Sequence, residues 1–175
     1  YRVSLSENIS KNSLVVTVSA TDKDKGSNGE VSYSFSQSTG NEATEIFSIE
    51  SDTGVIKLKG LLDFEKSKQY ELDVDAMDNG GQTDTTKVQV EVTDVNDNSP
   101  VISIISFSNS IPEDSASESA VAMLNIKDAD SGRNGQIKCS VNSDLPFRIK
   151  ATSSNIYSLV TDRSLDREMF SEYNI

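Results

Sequence analysis

Histidine and tryptophan are absent from these 175 residues, cysteine occurs once and proline three times, and aromatic side chains make up only 6%. Without histidine there is no Ser-His-Asp or Cys-His nucleophile, no imidazole metal ligand and no side chain that ordinarily titrates near neutrality. Most enzyme classes are excluded on this ground, and the chain is not expected to be an enzyme. A single cysteine permits no internal disulfide. Cys139 lies in the alternation Ile137, Cys139, Val141 and reads as a small buried hydrophobe on a strand, since no base is at hand to activate it. Cationic residues are scarce: 16 Lys and Arg face 28 Asp and Glu, for a net charge of −12. A nucleic-acid partner is not expected, because phosphate contacts need a basic face. The most apolar stretch, Val101–Phe107, is too short to cross a bilayer. The chain therefore reads as a soluble protein or as a piece of a larger one.

What is present is repetition. Glu7 of Ser6-Glu7-Asn8 recurs 106 residues on as Glu113 of Pro112-Glu113-Asp114. The segment Asp22-Lys23-Asp24-Lys25-Gly26-Ser27-Asn28-Gly29 recurs at the same offset as Asp128-Ala129-Asp130-Ser131-Gly132-Arg133-Asn134-Gly135. Leu62-Asp63-Phe64-Glu65 recurs as Leu165-Asp166-Arg167-Glu168, 103 residues on. Three marks in one order at nearly one spacing define a tandem repeat. Its boundary is expected after Asn98, giving modules 1–98 and 99–175.

Between the marks the apolar residues alternate with polar ones: Val31, Tyr33 and Phe35 against serines, Tyr70, Leu72, Val74 and Ala76 against Glu71, Asp73 and Asp75, and Val88, Val90 and Val92 against Gln89 and Glu91. A period of two marks half-buried strands. Further strands are expected before Glu7, over Leu14 to Ala20, at Phe47 to Ile49 and over Thr53 to Leu58, making seven in the first module. The turn dipeptides Asn28-Gly29, Asn79-Gly80 and Asn134-Gly135 separate such strips, and no amphipathic helix is evident. The fold expected is all-β: two tandem seven-stranded antiparallel Greek-key sandwiches. The second is expected to be truncated, because the counterparts of Asp73 through Asp97 would fall past Ile175.

The acids gather at the repeated marks and in Asp94-Val95-Asn96-Asp97-Asn98-Ser99-Pro100, a run of oxygen donors between the modules. Oxygen-only donor sets rich in carboxylates suit Ca²⁺. The loop beginning at Asp22 is not an EF-hand, which needs glycine at its sixth position and glutamate at its twelfth between two helices. Here Ser27 and Tyr33 hold those places, and strands flank them. A glycosidase pair formed by Asp63 and Glu65 is excluded as well. Two residues apart on an extended segment, they point to one side and cannot flank a sugar bond.

Taken together, the Glu7 segment, the Asp22 to Gly29 segment, Leu62 to Glu65, Ala76-Met77-Asp78-Asn79-Gly80 and the linker Asp94 to Pro100 resemble the calcium-binding signature of cadherin extracellular repeats. Leu145 to Arg148, Tyr157 to Asp162 and Ser171 to Ile175 further resemble a clustered protocadherin, at its third and fourth repeats. The resemblance implies three Ca²⁺ ions at the linker. They would be held by Glu7, Asp63, Glu65, Asp94, the Val95 carbonyl, Asn96, Asp97, the Asn98 carbonyl, Asp128, Asp130 and the Asn134 carbonyl. Asp22, Asp24, Asn28 and Asp78 would form half of a site toward a preceding repeat. Glu113, Asp166 and Glu168 would form half of one toward a following repeat. Phe64 stands where the family commonly has Arg, and little effect is expected from it. The resemblance also implies an extracellular location, membrane attachment through other parts of the protein, and no small-molecule substrate. The partner implied is an identical molecule on an opposing cell, with a mechanical or heterophilic spacer as the alternative. Asn8-Ile9-Ser10 is the one N-glycosylation sequon.

Overall fold

The computed structural model describes all of residues 1–175, which divide into two compact units, Tyr1–Val95 and Asn96–Ile175. The division falls at the start of the acidic linker, before the Asn98 limit read from sequence.

The first unit is a sandwich of two sheets. Strands β1 (Arg2–Ser6), β7 (Thr83–Thr93), β6 (Gln69–Asp78) and β3 (Val31–Phe35) form one, in that order. Strands β2 (Leu14–Thr17), β5 (Val55–Leu58) and β4 (Phe47–Ile49) form the other. All seven expected strands are present. The pairings are antiparallel except one: β1 runs parallel to β7, with Arg2 opposite Gln89 and Ser6 opposite Thr93. The inward positions of β6 and β7 supply the centre of the core, where Leu72, Val74, Val88 and Val90 lie with Ile56, Leu58 and Phe47 at 1% exposure or less. Each such side chain contributes about 1.5–3 kcal/mol relative to an exposed one. Phe47 packs edge-on against Tyr70, with ring centroids 5.4 Å apart.

Two short helical pieces interrupt the strands. A 3₁₀ turn spans Gly26–Gly29, and α1 covers Asn41–Ile46. At six residues α1 buries only Ala43, too little to leave an amphipathic period in the sequence.

The second unit has one sheet, ordered β10 (Phe147–Ser153), β11 (Ile156–Thr161), β9 (Ala120–Lys127), β8 (Val101–Phe107). Strands β10, β11 and β9 correspond to β4, β5 and β2, with β8 added at the edge. The β10–β11 hairpin turns through Asn155 at φ 66°, a left-handed conformation that asparagine tolerates better than most residues. Phe147 and Tyr173 repeat the edge-on pair of the first unit at 5.3 Å. The strand expected at Ile137, Cys139 and Val141 does not form. These residues stay half-buried and alternate with exposed ones, but in the first unit the matching strand β3 is laddered to β6, and no segment within 96–175 takes the place of β6. Pattern without a pairing partner gives extended chain rather than a strand. All of β8 is exposed, as befits an edge strand of a sheet that no second sheet covers within these residues.

Candidate metal centre

Three separated parts of the first unit bring carboxylates together at one end. Glu7 follows β1 directly, and its N–H donates to the Thr93 carbonyl at 3.2 Å, so the end of the β1–β7 ladder sets its backbone. The side chain turns inward and is 5% exposed. One carboxylate oxygen accepts the N–H of Phe64 and the other that of Val95, both at 2.7 Å. These donors orient the carboxylate without cancelling its charge. Carboxylate oxygens of Glu7, Glu65 and Asp94 lie within 4.8 Å of one another. No ion pair joins Glu7 to a lysine or arginine; the pairs formed are Lys57 with Glu50, Lys66 with Glu42, Lys87 with Glu71 and Asp73, Arg148 with Glu118 and Asp162, and Lys150 with Glu118. A buried charge is costly unless it is paired. The donors are all oxygens and there is no imidazole or thiolate among them, the chemistry of a hard divalent cation. The residues therefore fit Ca²⁺. Asp63 stands outside this group, its Oδ1 capping the N–H of Lys66 at 2.9 Å.

A second group lies in the same unit, where Asp22, Asp24 and Asp78 place carboxylate oxygens within 4.8 Å. Asp22 Oδ1 accepts the N–H of Asp24 at 2.7 Å, and Asp78 Oδ1 accepts that of Gln82 at 2.7 Å. Asn79, noted only as part of a motif, does structural work here: its Nδ2 donates to the Ser27 carbonyl at 2.8 Å and ties the β6–β7 turn to the loop holding Asn28. Gly29 is required by closeness, since a Cβ there would stand 2.5 Å from the Asp24 carbonyl oxygen.

The second unit repeats these devices. A Cβ at Gly135 would stand 2.2 Å from the Asp130 carbonyl oxygen, and Asp128 Oδ1 accepts the N–H of Asp130 at 3.0 Å. Asp130 is 8% exposed and accepts Asn98 Nδ2 at 2.7 Å and the Asn98 N–H at 3.2 Å. Asn96 Nδ2 donates to the Asn134 carbonyl at 3.1 Å, so two of the expected oxygen donors are engaged with each other. Asp97 and Asp130 bring carboxylate oxygens within 4.8 Å, and so do Glu113, Asp166 and Glu168. Glu113 Oε2 accepts the N–H of Arg167 at 2.9 Å, the counterpart of the Glu7 contact to Phe64. Phe64 thus matters through its backbone, while its side chain packs on the core and lies under Lys68 Nζ, 4.9 Å from the ring centre. Nothing in residue type at position 64 signals a backbone donor.

The resolved titration shifts lie away from these groups. Hydrogen bonding and the charge of Lys87 hold Glu71 below the ordinary glutamate range, and Lys57 does the same to Glu50.

Carboxylate devices repeated in two tandem β units define the class of protein, and comparison with known sequences agrees. The cadherin domain family matches residues 1–93, and the chain belongs to the cadherin family. Protocadherin gamma-A11 of Homo sapiens is 48% identical over all 175 residues. The chain spans 19% of that relative's length. Among solved structures, Protocadherin Gamma B7 extracellular cadherin domains 1-4 superposes with a TM-score of 0.91 at 43% identity, covering 97% of this chain and 41% of that one. Protocadherin Gamma B2 extracellular cadherin domains 3-6 gives 0.89 at 37%, covering 99% and 39%. The chain is thus similar to extracellular segments of protocadherins. Cadherin domains bind calcium, and their family is one of adhesion proteins rather than enzymes.

Proposed function

We propose that the chain is a calcium-stiffened pair of cadherin repeats, with their boundary after Asn98, in the recognition rod of a cell-surface adhesion protein. The observation that carries this reading is Glu7, a nearly buried carboxylate aligned by two backbone N–H groups and left without a cationic side chain. One of the two contacts recurs at Glu113, whose Oε2 accepts the Arg167 N–H.

Three Ca²⁺ ions would be held by Glu7, Asp63, Glu65, Asp94, Asn96, Asp97, Asp128 and Asp130 with the carbonyls of Val95, Asn98 and Asn134. Seven of these residues are acids, and three divalent ions nearly offset their charge. Bound calcium supplies the positive charge that lets the acids stand close together. The chain's own groups prepare the site: Phe64 and Val95 fix Glu7, and Asn98 fixes Asp130. Asp22, Asp24, Asn28 and Asp78, and separately Glu113, Asp166 and Glu168, serve neighbouring repeats in the same way. Sites of this extracellular type bind at roughly 10⁻⁴ to 10⁻³ M, so they fill outside the cell and not in the cytosol.

The segment then contributes to homophilic adhesion, pairing with an identical molecule on an opposing cell. Beads coated with the full ectodomain test this. Self-sorting aggregation that a chelator abolishes supports it, whereas aggregation indifferent to partner identity, or none, leaves a mechanical spacer.

A further inference from the structure

The sequon that the adhesive reading leaves unused follows Glu7 of the metal centre on an exposed turn. Asn8 lies in the turn that follows β1, closed by the Ile9 N–H to the Ser6 carbonyl at 3.0 Å. Burial alternates here: Glu7 is buried against Phe64 and Val95, Asn8 is exposed, Ile9 packs on the core and Ser10 is exposed. The Asn8 amide is also half engaged in a useful sense. Its Oδ1 accepts the Ser6 hydroxyl at 2.8 Å, while Nδ2, the atom a glycan would join, has no hydrogen-bond partner. The acceptor pair Asn8 and Ser10 is therefore on the surface, with the half-buried Ile9 holding the loop between them.

We infer that Asn8 carries an N-linked glycan. In the transfer, Asn8 Nδ2 attacks C1 of a saccharide carried on a polyprenyl pyrophosphate. The N–C1 bond forms as the bond from C1 to the pyrophosphate oxygen breaks, the amide loses one proton to a base, and polyprenyl pyrophosphate leaves. Because Glu7 is buried on the N–H groups of Phe64 and Val95 while Asn8 is exposed, the sugar extends into solvent. It makes the outer surface next to β1 bulky and hydrophilic, and closes that patch to tight packing by another protein.

The test is the intact mass of the 175-residue chain secreted from animal cells behind an added leader, with and without peptide N-glycosidase. The expected result is one glycan's mass above the bare polypeptide, removed by the enzyme, and absent from both Asn8→Gln and Ser10→Ala. Ser10→Ala keeps the asparagine and deletes only the hydroxyl that the sequon requires. A secreted chain at the bare mass overturns the inference, as does a glycan that persists in either variant.

Discussion

Replacing Glu7 by glutamine separates the two roles the side chain plays. The substitution keeps the shape but leaves one acceptor where there were two, so that an NH₂ group faces the N–H of Phe64 or of Val95. An unsatisfied buried donor costs about 1–3 kcal/mol. Against this, the variant loses one of three charges whose oxygens lie within 4.8 Å. At that separation each pair repels by about 1 kcal/mol in water and about 3.5 kcal/mol at an effective dielectric near 20. Two pairs are relieved, so in chelator Glu7→Gln is expected to be as stable as the parent or more so. With calcium the order reverses. At about 10 mM calcium, a site of roughly 10⁻⁴ to 10⁻³ M stabilises by about 1.4–2.7 kcal/mol per ion. That amounts to a rise of about 6–20 °C in Tm for a domain of this size. Calorimetric melts of the whole chain in chelator and in calcium are expected to show this rise for the parent and less than half of it for Glu7→Gln. An equal calcium-induced rise in both proteins would refute the reasoning, because Glu7 would then contribute nothing to ion binding.

Other expectations bear on the frame of the site. Gly29→Ala and Gly135→Ala would each drive a Cβ into a backbone carbonyl, at 2.5 and 2.2 Å; both are expected to weaken calcium binding in titration calorimetry, and unchanged affinity would show that the loops can move aside. Leu72→Ala empties a position at 0% exposure and is expected to lower stability by about 2–5 kcal/mol in denaturant unfolding. Glu71 titrates below the ordinary range in the folded protein because of Lys87. Its contribution is therefore present above the unfolded-state glutamate pKa and is lost as pH falls through the lower folded value. In Lys87→Met, side-chain NMR should find the Glu71 midpoint moved up toward ordinary glutamate, and an unmoved midpoint would assign the shift to another cause.

The strands of the first unit were legible because each has one face in the core and one in solvent, so period two is written into Tyr70 to Ala76 and Val88 to Val92. What that alternation could not convey is partnership. It is the same for β3 as for Ile137 to Val141, yet only β3 has β6 beside it. The parallel pairing of β1 with β7 is likewise a fact of topology and not of local pattern. Residue α1 positions escaped notice for a different reason, since six residues burying a single alanine carry no readable moment. The acids were legible as a set through repetition, because Glu7 and Glu113 recur with their neighbours. Their division of labour was not. Asp63 spends an oxygen on the Lys66 N–H and lies outside the group that Glu65 joins, and the donors that hold Glu7 are main-chain N–H groups, which any residue type can provide. Thr39 escaped in the same way, buried at 7% exposure where its hydroxyl donates to the Asp73 carbonyl at 2.9 Å and accepts the Asp73 N–H at 3.0 Å.

The central claim is that the acids at the linker hold calcium and thereby stiffen the chain. Its most direct test is a calcium titration by calorimetry, read alongside small-angle scattering, on the parent and on Asp97→Ala. The account predicts saturable binding at roughly 10⁻⁴ to 10⁻³ M, with a longer and less variable particle in calcium, and loss of both effects in the variant. No binding into the millimolar range, or scattering that calcium leaves unchanged, would contradict it.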